Sequence, residues 1–336
     1  MAIKILITGA GGFIGGYIVE EALKRGYETY AGVRNSTSRE YLGDSRIRFI
    51  NLNFANPDAL QQQLLEIKTQ IGGWDYIVHN LGVTKCKNSK DFYRINYEFT
   101  RNFTNALVAC DMVPRKFIYM SSLSAIGKGD EKTFTPLQLN DTPNPDTHYG
   151  KSKLMAEQHL MSIDSFPYII LRPTGVYGPR ERDYLLMMKT IKHHYDFRSG
   201  FGKQLITFIY IKDLIRAIYT AIESPLTRKT YFLSEEKAYS SSGFSNYVAK
   251  ELGKKFVVPI ILPNWLLWII SVVAEWACGL IGKISTVNRD KYSIMSQRNW
   301  VCDTTATREE LGFVPQYSLE EGVRETVAWY KANKWL

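Results

Sequence analysis

Cysteine is scarce in this chain of 336 residues: there are four, at positions 86, 110, 278 and 302. No two of them form a CxxC pair, and none stands near a histidine at metal-ligand spacing. Neither a disulfide framework nor a structural zinc site is expected. Sparse, unpatterned thiols fit a reducing cytoplasm, and that compartment is the expectation. A secretory leader is not expected either, because the apolar run over residues 1–8 is short and leads straight into a glycine turn. Proline (12) and glycine (24) stay near ordinary use, which excludes collagen-like repeats and a dominant low-complexity linker. Charge of one sign prevails only weakly: 42 Lys+Arg face 33 Asp+Glu, a net charge of +9. The basic residues are scattered, with small clusters at 85–87 and 180–182, and no long basic run carries interleaved aromatics. Nucleic acid is therefore not an expected partner. An anionic ligand, an anionic membrane surface and a merely solvated basic surface all remain open. The adjacent pair His193 and His194 does not face one way on a helix, so no metal is expected there.

What the sequence does hold is alternation. Residues 3–7 read as a buried strand, and Ile14, Ile18, Ala22 and Leu23 then recur at helical spacing until Gly26. Strands follow over 27–33, 48–52, 76–78, 117–120 and 168–171, with helices over 57–68, 92–109 and 147–161. Short apolar strands separated by helices predict an α/β fold, a Rossmann-type doubly wound parallel sheet covered on both faces. The nucleotide-binding domain is placed at 1–172, with additional strands from about 204–234 (205–210 and 230–233) around a helix over 211–223. A smaller substrate domain is placed mostly at 173–336, with a helix over 244–252. The strip Leu185, Met188 and Ile191 reads as core.

Residues 256–274 carry no charge, Pro259 and Pro263 interrupt them, and Glu275 closes them. Only eleven residues lie between Pro263 and Glu275, too few for a full membrane span of about 20. A buried helix and an exposed apolar helix that touches membrane or admits a lipophilic substrate both stay open.

Gly9, Gly12 and Gly15 give a GxxGxxG spacing between the first strand and the first helix. A tight turn, a close backbone approach to a pyrophosphate and a helix–strand contact each require the missing Cβ, and the helix N-terminus offers free N–H groups to phosphate. Strand two ends Ala31-Gly32-Val33-Arg34-Asn35-Ser36. An NAD site usually has an acidic residue here. Arg34, with Ser36 as an added donor, suits a 2′-phosphate, so NADP is preferred and NAD remains possible.

Tyr149 and Lys153 are four apart at a helix start and therefore neighbours on one face. An ammonium beside a phenol favours the phenolate, and such a tyrosine can pass a proton to or from a substrate oxygen. Ser121 and Ser122 end strand five, at the carboxyl edge of the sheet where ligands bind, and a serine hydroxyl there can polarise a carbonyl.

With these motifs the sequence resembles the extended short-chain dehydrogenase/reductase family, also called the NAD-dependent epimerase/dehydratase family, over nearly its whole length. Its character is nearest to the 3β-hydroxysteroid dehydrogenase-like and dihydroflavonol reductase-like members. The resemblance implies a catalytic set of Ser122, Tyr149 and Lys153, with Lys153 also bonding the nicotinamide ribose. It implies cofactor contacts from Gly9, Gly12, Phe13, Ile14 and Gly15, from Asn53 and Phe54, from Leu81 and Gly82, and from Pro173, Gly175 and Val176. Asn53 stands where the family often has Asp, and Thr174 where it often has Asn. Asp213 and the tail over 303–315 fit family patterns as structural features. A homodimer through helices including 92–109 and 147–161 is also implied.

The expectation is an NADP-dependent oxidoreductase acting on a hydroxyl or ketone carbon of a hydrophobic, steroid- or flavonoid-like molecule. Arg34, the apolar stretch and the lack of an acidic residue directly after Ser122 lean that way. A nucleotide-sugar epimerase, dehydratase or ketoreductase is the alternative, with Arg180, Arg182, Lys189 and Lys192 as diphosphate ligands. A cofactor-sensing protein without activity is a third reading, disfavoured because both Tyr149 and Lys153 are present.

Overall fold

Strand β1 (Lys4–Thr8) is a run of branched aliphatics with Ile5, Leu6 and Ile7 fully out of water, as a central parallel strand requires. In the computed structural model, which describes residues 2–282, 285 and 287–336, it is joined by β2 (Glu28–Gly32), β3 (Arg48–Ile50), β4 (Tyr76–His79), β5 (Lys116–Met120), β6 (Tyr168–Pro173) and β7 (Lys229–Leu233). The result is a seven-strand parallel, Rossmann-like sheet in the order β7-β6-β5-β4-β1-β2-β3. Thr8 at the end of β1 is flanked by Gly32 on one side and His79 on the other. Strand order reverses at β1, so its carboxyl end, beside that of β4, is a topological switch point.

The helices are α1 (Phe13–Lys24), α2 (Pro57–Ile71), α3 (Phe99–Ala109), α4 (His148–Ser162) and α5 (Ile211–Glu223). α2 shows how local sequence sets its ends. The Asn56 side chain accepts from the Ala59 N–H at 3.1 Å, Pro57 opens the helix, and Gly72 closes it with φ of 78°. Leu60 and Leu64 of α2 and Phe103 and Leu107 of α3 pack with Leu6, Ile77 and Phe117 of the sheet. Each such buried side chain contributes about 1.5–3 kcal/mol. The helix expected over 92–109 is in three pieces: a turn at Lys90–Phe92, a π-helical stretch at Tyr93–Glu98, and α3. The wider turn carries the fully buried Asn96.

The chain divides into two compact units. One comprises the residues up to Ala125, His148–Arg172 and Ile215–Tyr231; the other comprises Ile126–Thr147, Pro173–Leu214 and Phe232–Leu336. The first holds most of the seven-strand sheet.

Among the described residues, the second unit contains three small sheets. Gly175–Tyr177 pairs in parallel with Phe208–Tyr210; Leu205–Ile206 lies between Tyr239–Ser240 and Asn299–Trp300; and Tyr195–Ser199 pairs in parallel with Val258–Leu262. The single strand expected over 205–210 is thus two strands in two sheets. Thr207, whose hydroxyl donates to the Trp300 carbonyl at 2.6 Å, marks the switch. Leu185, Met188 and Ile191 are buried on the helix Asp183–Lys192, as the sequence suggests. Asp213 is structural: its buried carboxylate accepts from the N–H groups of Gln316 and Tyr317 at 3.0 and 2.9 Å. The apolar stretch folds as the strand Val258–Leu262 and the helix Asn264–Leu280. Most of that helix is exposed rather than buried; only Leu267 and Ser271 are fully covered. No helix among the described residues is long and apolar enough to cross a membrane.

Candidate active site

The glycine turn is shaped by backbone contacts that no side chain would permit. A Cβ on Gly15 would lie 2.2 Å from the Gly9 carbonyl oxygen, and one on Gly9, whose φ is 68°, would lie 2.7 Å from the Asn80 carbonyl. The turn is thereby pressed against the segment that leaves β4, at the switch point. α1 then starts at Gly12 with no side-chain cap and no acidic residue in its first turn. An uncapped helix end beside a backbone without Cβ atoms fits a pyrophosphate. Phe13 and Ile14, partly exposed, form the first turn of that helix.

Arg34 and Ser36 are exposed on the loop after β2. The Arg34 N–H donates to Thr37 Oγ1 at 3.1 Å and its carbonyl accepts from the Thr37 N–H at 2.9 Å. A Cβ on Gly11 would sit 2.2 Å from the Thr37 methyl, so this loop folds directly onto the glycine turn. Thr37 is a contact that the sequence reading missed. Asn53 is exposed and its N–H is held by Gln63 Oε1 at 2.9 Å. The Phe54 ring packs among His79, Phe99 and Phe103.

β1 and β4 are stitched at their ends by side chains. Thr8 Oγ1 lies 3.0 Å from His79 Nδ1 and accepts from the Leu81 N–H at 3.2 Å, while His79 Nε2 reaches Thr100 Oγ1 at 3.1 Å. Burial and the charge of Lys153 push His79 down to about 3, so it stays neutral. Asn96 holds the next residues: it accepts from the Val83 N–H at 2.8 Å and donates to the Val83 carbonyl at 3.1 Å and to Ser152 Oγ at 2.9 Å. Gly82 lies between Asn96 and Lys153, for a Cβ there would be 3.1 Å from both Asn96 Oδ1 and Lys153 Nζ.

The three residues expected to be catalytic come together in this same unit. Tyr149 and Lys153 share a face of α4, and Ser122 follows β5. The Ser122 side chain acts on the Tyr149 phenol and opposes the rise that burial imposes on it. Lys153 is buried, donates to the Met120 carbonyl at 2.7 Å and lies 5.0 Å over the Tyr119 ring. Burial lowers the Lys153 ammonium to about 8, and the Glu157 carboxylate opposes that shift. The sequence suggested a phenolate at Tyr149. Instead, burial pushes the phenol above its ordinary value, and Ser122 only partly opposes it. Tyr149 therefore keeps its proton at neutral pH.

Glu157, one turn beyond Lys153, carries a second buried network. It pairs with Arg172 at the end of β6 and accepts from the Ser121 hydroxyl. Both ionised groups are sealed from water. Two signals were available in the sequence: Glu157 is four residues from Lys153, and Arg172 closes an otherwise apolar strand.

Pro173, Gly175 and Val176 lie in the second unit. A Cβ on Gly175 would be 2.4 Å from the Tyr184 hydroxyl, and the buried Thr174 hydroxyl has no partner among the described residues. Three of the four basic residues read as diphosphate ligands are spread along one helix. Arg182 precedes the helix Asp183–Lys192 and stacks over Trp335, whereas Lys189 and Lys192 stand in its last turn, about 15 Å along the axis from Arg182 to Lys192.

Comparison with known proteins agrees with this geometry. Residues 5–232 match the model of the NAD dependent epimerase/dehydratase family. The UDP-glucose 4-epimerase of Vibrio cholerae is 25% identical, the match covering 98% of this chain and 96% of that protein. A decarboxylating sterol-4-alpha-carboxylate 3-dehydrogenase of Dictyostelium discoideum is 23% identical over 96% and 99% of the two chains. Among solved structures, a UDP-glucose 4-epimerase of Thermotoga maritima with UDP-glucose superposes with a TM-score of 0.77, at 19% identity and 99% and 100% coverage. A UDP-glucuronic acid 4-epimerase of Bacillus cereus in complex with NAD gives 0.76, at 22% identity and 98% and 99% coverage. The chain thus belongs to the NAD-dependent epimerase/dehydratase family, the extended short-chain dehydrogenases/reductases, and is an NAD(P)-dependent oxidoreductase-type enzyme.

Proposed function

We propose that this enzyme prefers NADP and exchanges hydride with a hydroxyl or ketone carbon of a hydrophobic, steroid- or flavonoid-like molecule, with Tyr149 as its acid–base group. The observation that carries the reading is the convergence of Ser122, after β5, with Tyr149 and the buried Lys153 of α4, in the same unit as the glycine cradle. When bound, the nicotinamide supplies or accepts the hydride. Ser122 and Tyr149 orient the substrate oxygen. Tyr149, which keeps its proton, gives it to that oxygen in the reducing direction, and the Lys153 cation offsets the charge left on the phenol. Arg34, Ser36 and Thr37 pair with a 2′-phosphate, and no acidic residue stands among positions 31–38 to repel it. The sterol dehydrogenase relatives support the apolar substrate class.

A nucleotide-sugar epimerase with retained NAD is the second reading, favoured by the full-length likeness to UDP-sugar enzymes. One experiment separates the two. The purified enzyme and Tyr149→Phe are given NADPH or NADH with apolar ketones, and UDP-sugars without added cofactor. Tyr149-dependent NADPH oxidation by an apolar ketone is the expected result. Interconversion of a UDP-sugar with NAD retained would replace the first reading by the second.

A further inference from the structure

The helix Asn264–Leu280 is apolar all round, a pattern that belongs in an interior. Yet Trp265 is 65% exposed, Trp276 67% and Leu280 69%, with Trp268, Ile269 and Val273 exposed between them. At about 100° per residue, the uncovered positions from Trp268 through Trp265 to Ile270 span roughly 200° of the helix circumference. Its only charged residue, Glu275, sits at the border of that arc and is neutralised by Arg289 at 3.1 Å.

The helix is nevertheless pinned to its unit. The Ser199 hydroxyl donates to Asn264 Oδ1 at 3.1 Å, and a Cβ on Gly200 would lie 2.9 Å from the same oxygen. The next residue, Phe201, is 75% exposed and so extends the apolar surface at the helix start. Basic side chains border it. Lys203 and Arg298 both lie over the Phe134 ring, and the Arg298 Nε would be 2.9 Å from a Cβ on Gly202. Lys255, exposed, precedes the exposed Phe256 ahead of the strand Val258–Leu262 that leads into the helix.

We propose that this face docks on an anionic lipid bilayer, the helix lying in the interfacial plane with Trp265, Trp276 and Leu280 among the acyl chains. A partner helix covers a stripe of about 100°. An arc twice as wide calls for a continuous medium that closes round the helix. Three tryptophans on a helix of about 25 Å, too short to cross and bordered by Lys and Arg, are the residues an interfacial anchor uses. The inference stands whether the substrate is apolar or a nucleotide sugar.

The test is co-sedimentation of the full chain with phosphatidylcholine vesicles and with vesicles carrying about 30% phosphatidylglycerol, with light scattering on the lipid-free protein. Wild type should partition onto the anionic vesicles with a blue shift of tryptophan emission. The double variant Trp265→Gln/Trp276→Gln should bind about tenfold less while keeping the wild-type unfolding midpoint. Lys203→Glu/Lys255→Glu, whose side chains carry no core contact, should weaken binding as high salt does. Absence of partition by folded wild type, or partition of both double variants equal to that of wild type, overturns the proposal. Equal binding to neutral vesicles overturns the anionic assignment. A wild-type dimer that the tryptophan variant turns into monomer, with no vesicle binding, assigns the face to a second copy.

Discussion

Arg172 and Glu157 meet edge to edge where water does not reach: Arg172 Nη2 donates to Glu157 Oε2 at 2.6 Å and Nε donates to Oε1 at 3.0 Å. The pair ties the end of β6 to the middle of α4, and Ser121 binds the same carboxylate. It thus fixes the two elements that carry Ser122 and Lys153 relative to each other. Glu157→Gln leaves a buried guanidinium without its counter-charge. The expected loss is about 3–5 kcal/mol, read by urea unfolding, with a lower turnover in the protein that remains folded. Unchanged stability would show that water or another group compensates Arg172.

Two glycines separate shape from backbone freedom. Gly15→Ala should abolish cofactor binding, because the new methyl would meet the Gly9 carbonyl at 2.2 Å and the Ala10 Cα at 2.8 Å, both backbone atoms. Gly26→Ala, at φ of 75° with nothing within 4 Å, should cost about 1–2 kcal/mol and leave cofactor affinity intact. Titration of NADPH fluorescence on both variants checks the contrast.

Removal of the Tyr149 hydroxyl should lower kcat by about 10²–10⁴ and leave cofactor affinity near wild type, because Ser122 and Lys153 stay in place. A Tyr149→Phe enzyme of normal rate would end the acid–base assignment.

Lys153 gives a pH signature in the cofactor-free protein. Its folded value, about 8, lies below its ordinary 10.5. Between these values the unfolded chain holds a proton that the folded chain has released. Stability contributed by this group therefore rises as pH increases from about 8 to 10.5. Wild type compared with Lys153→Met across that window should show a positive difference in slope; parallel curves would place the folded and unfolded values together.

Arg34→Ala should weaken NADPH binding by about 10- to 100-fold and leave NADH unchanged. Calorimetry with both nucleotides decides, and equal losses would mean that Arg34 serves the loop rather than the ligand.

Much of the first unit was legible because its signals are local. Apolar runs bounded by glycine predict β1 and α1, and the four-residue step from Tyr149 to Lys153 predicts their shared face. The helix over 211–223 is likewise as periodicity suggests. Other features have no local signal. A π-helical stretch such as Tyr93–Glu98 has no periodicity of its own, so Asn96 reads as one more polar helical residue until the fold places it against Val83 and Ser152. The protonated state of Tyr149 depends on burial, which spacing alone does not report. The exposure of Trp265 and Trp276 runs against hydropathy, and only the packing of Leu267 and Ser271 shows which side of the helix is spoken for.

The first unit is drawn from three separate stretches of chain, the last ending at Tyr231. During synthesis a ribosome that has released Arg172 has delivered β1 to β6 but no β7, and β6 waits with one bare edge. At about 5–20 residues per second, that edge stays uncovered for several seconds before Lys229–Leu233 emerges to pair with it. The nascent chain is therefore most vulnerable to edge-to-edge association in the interval when it looks nearly complete, and a fragment cut at Arg172 would hold that hazardous state permanently.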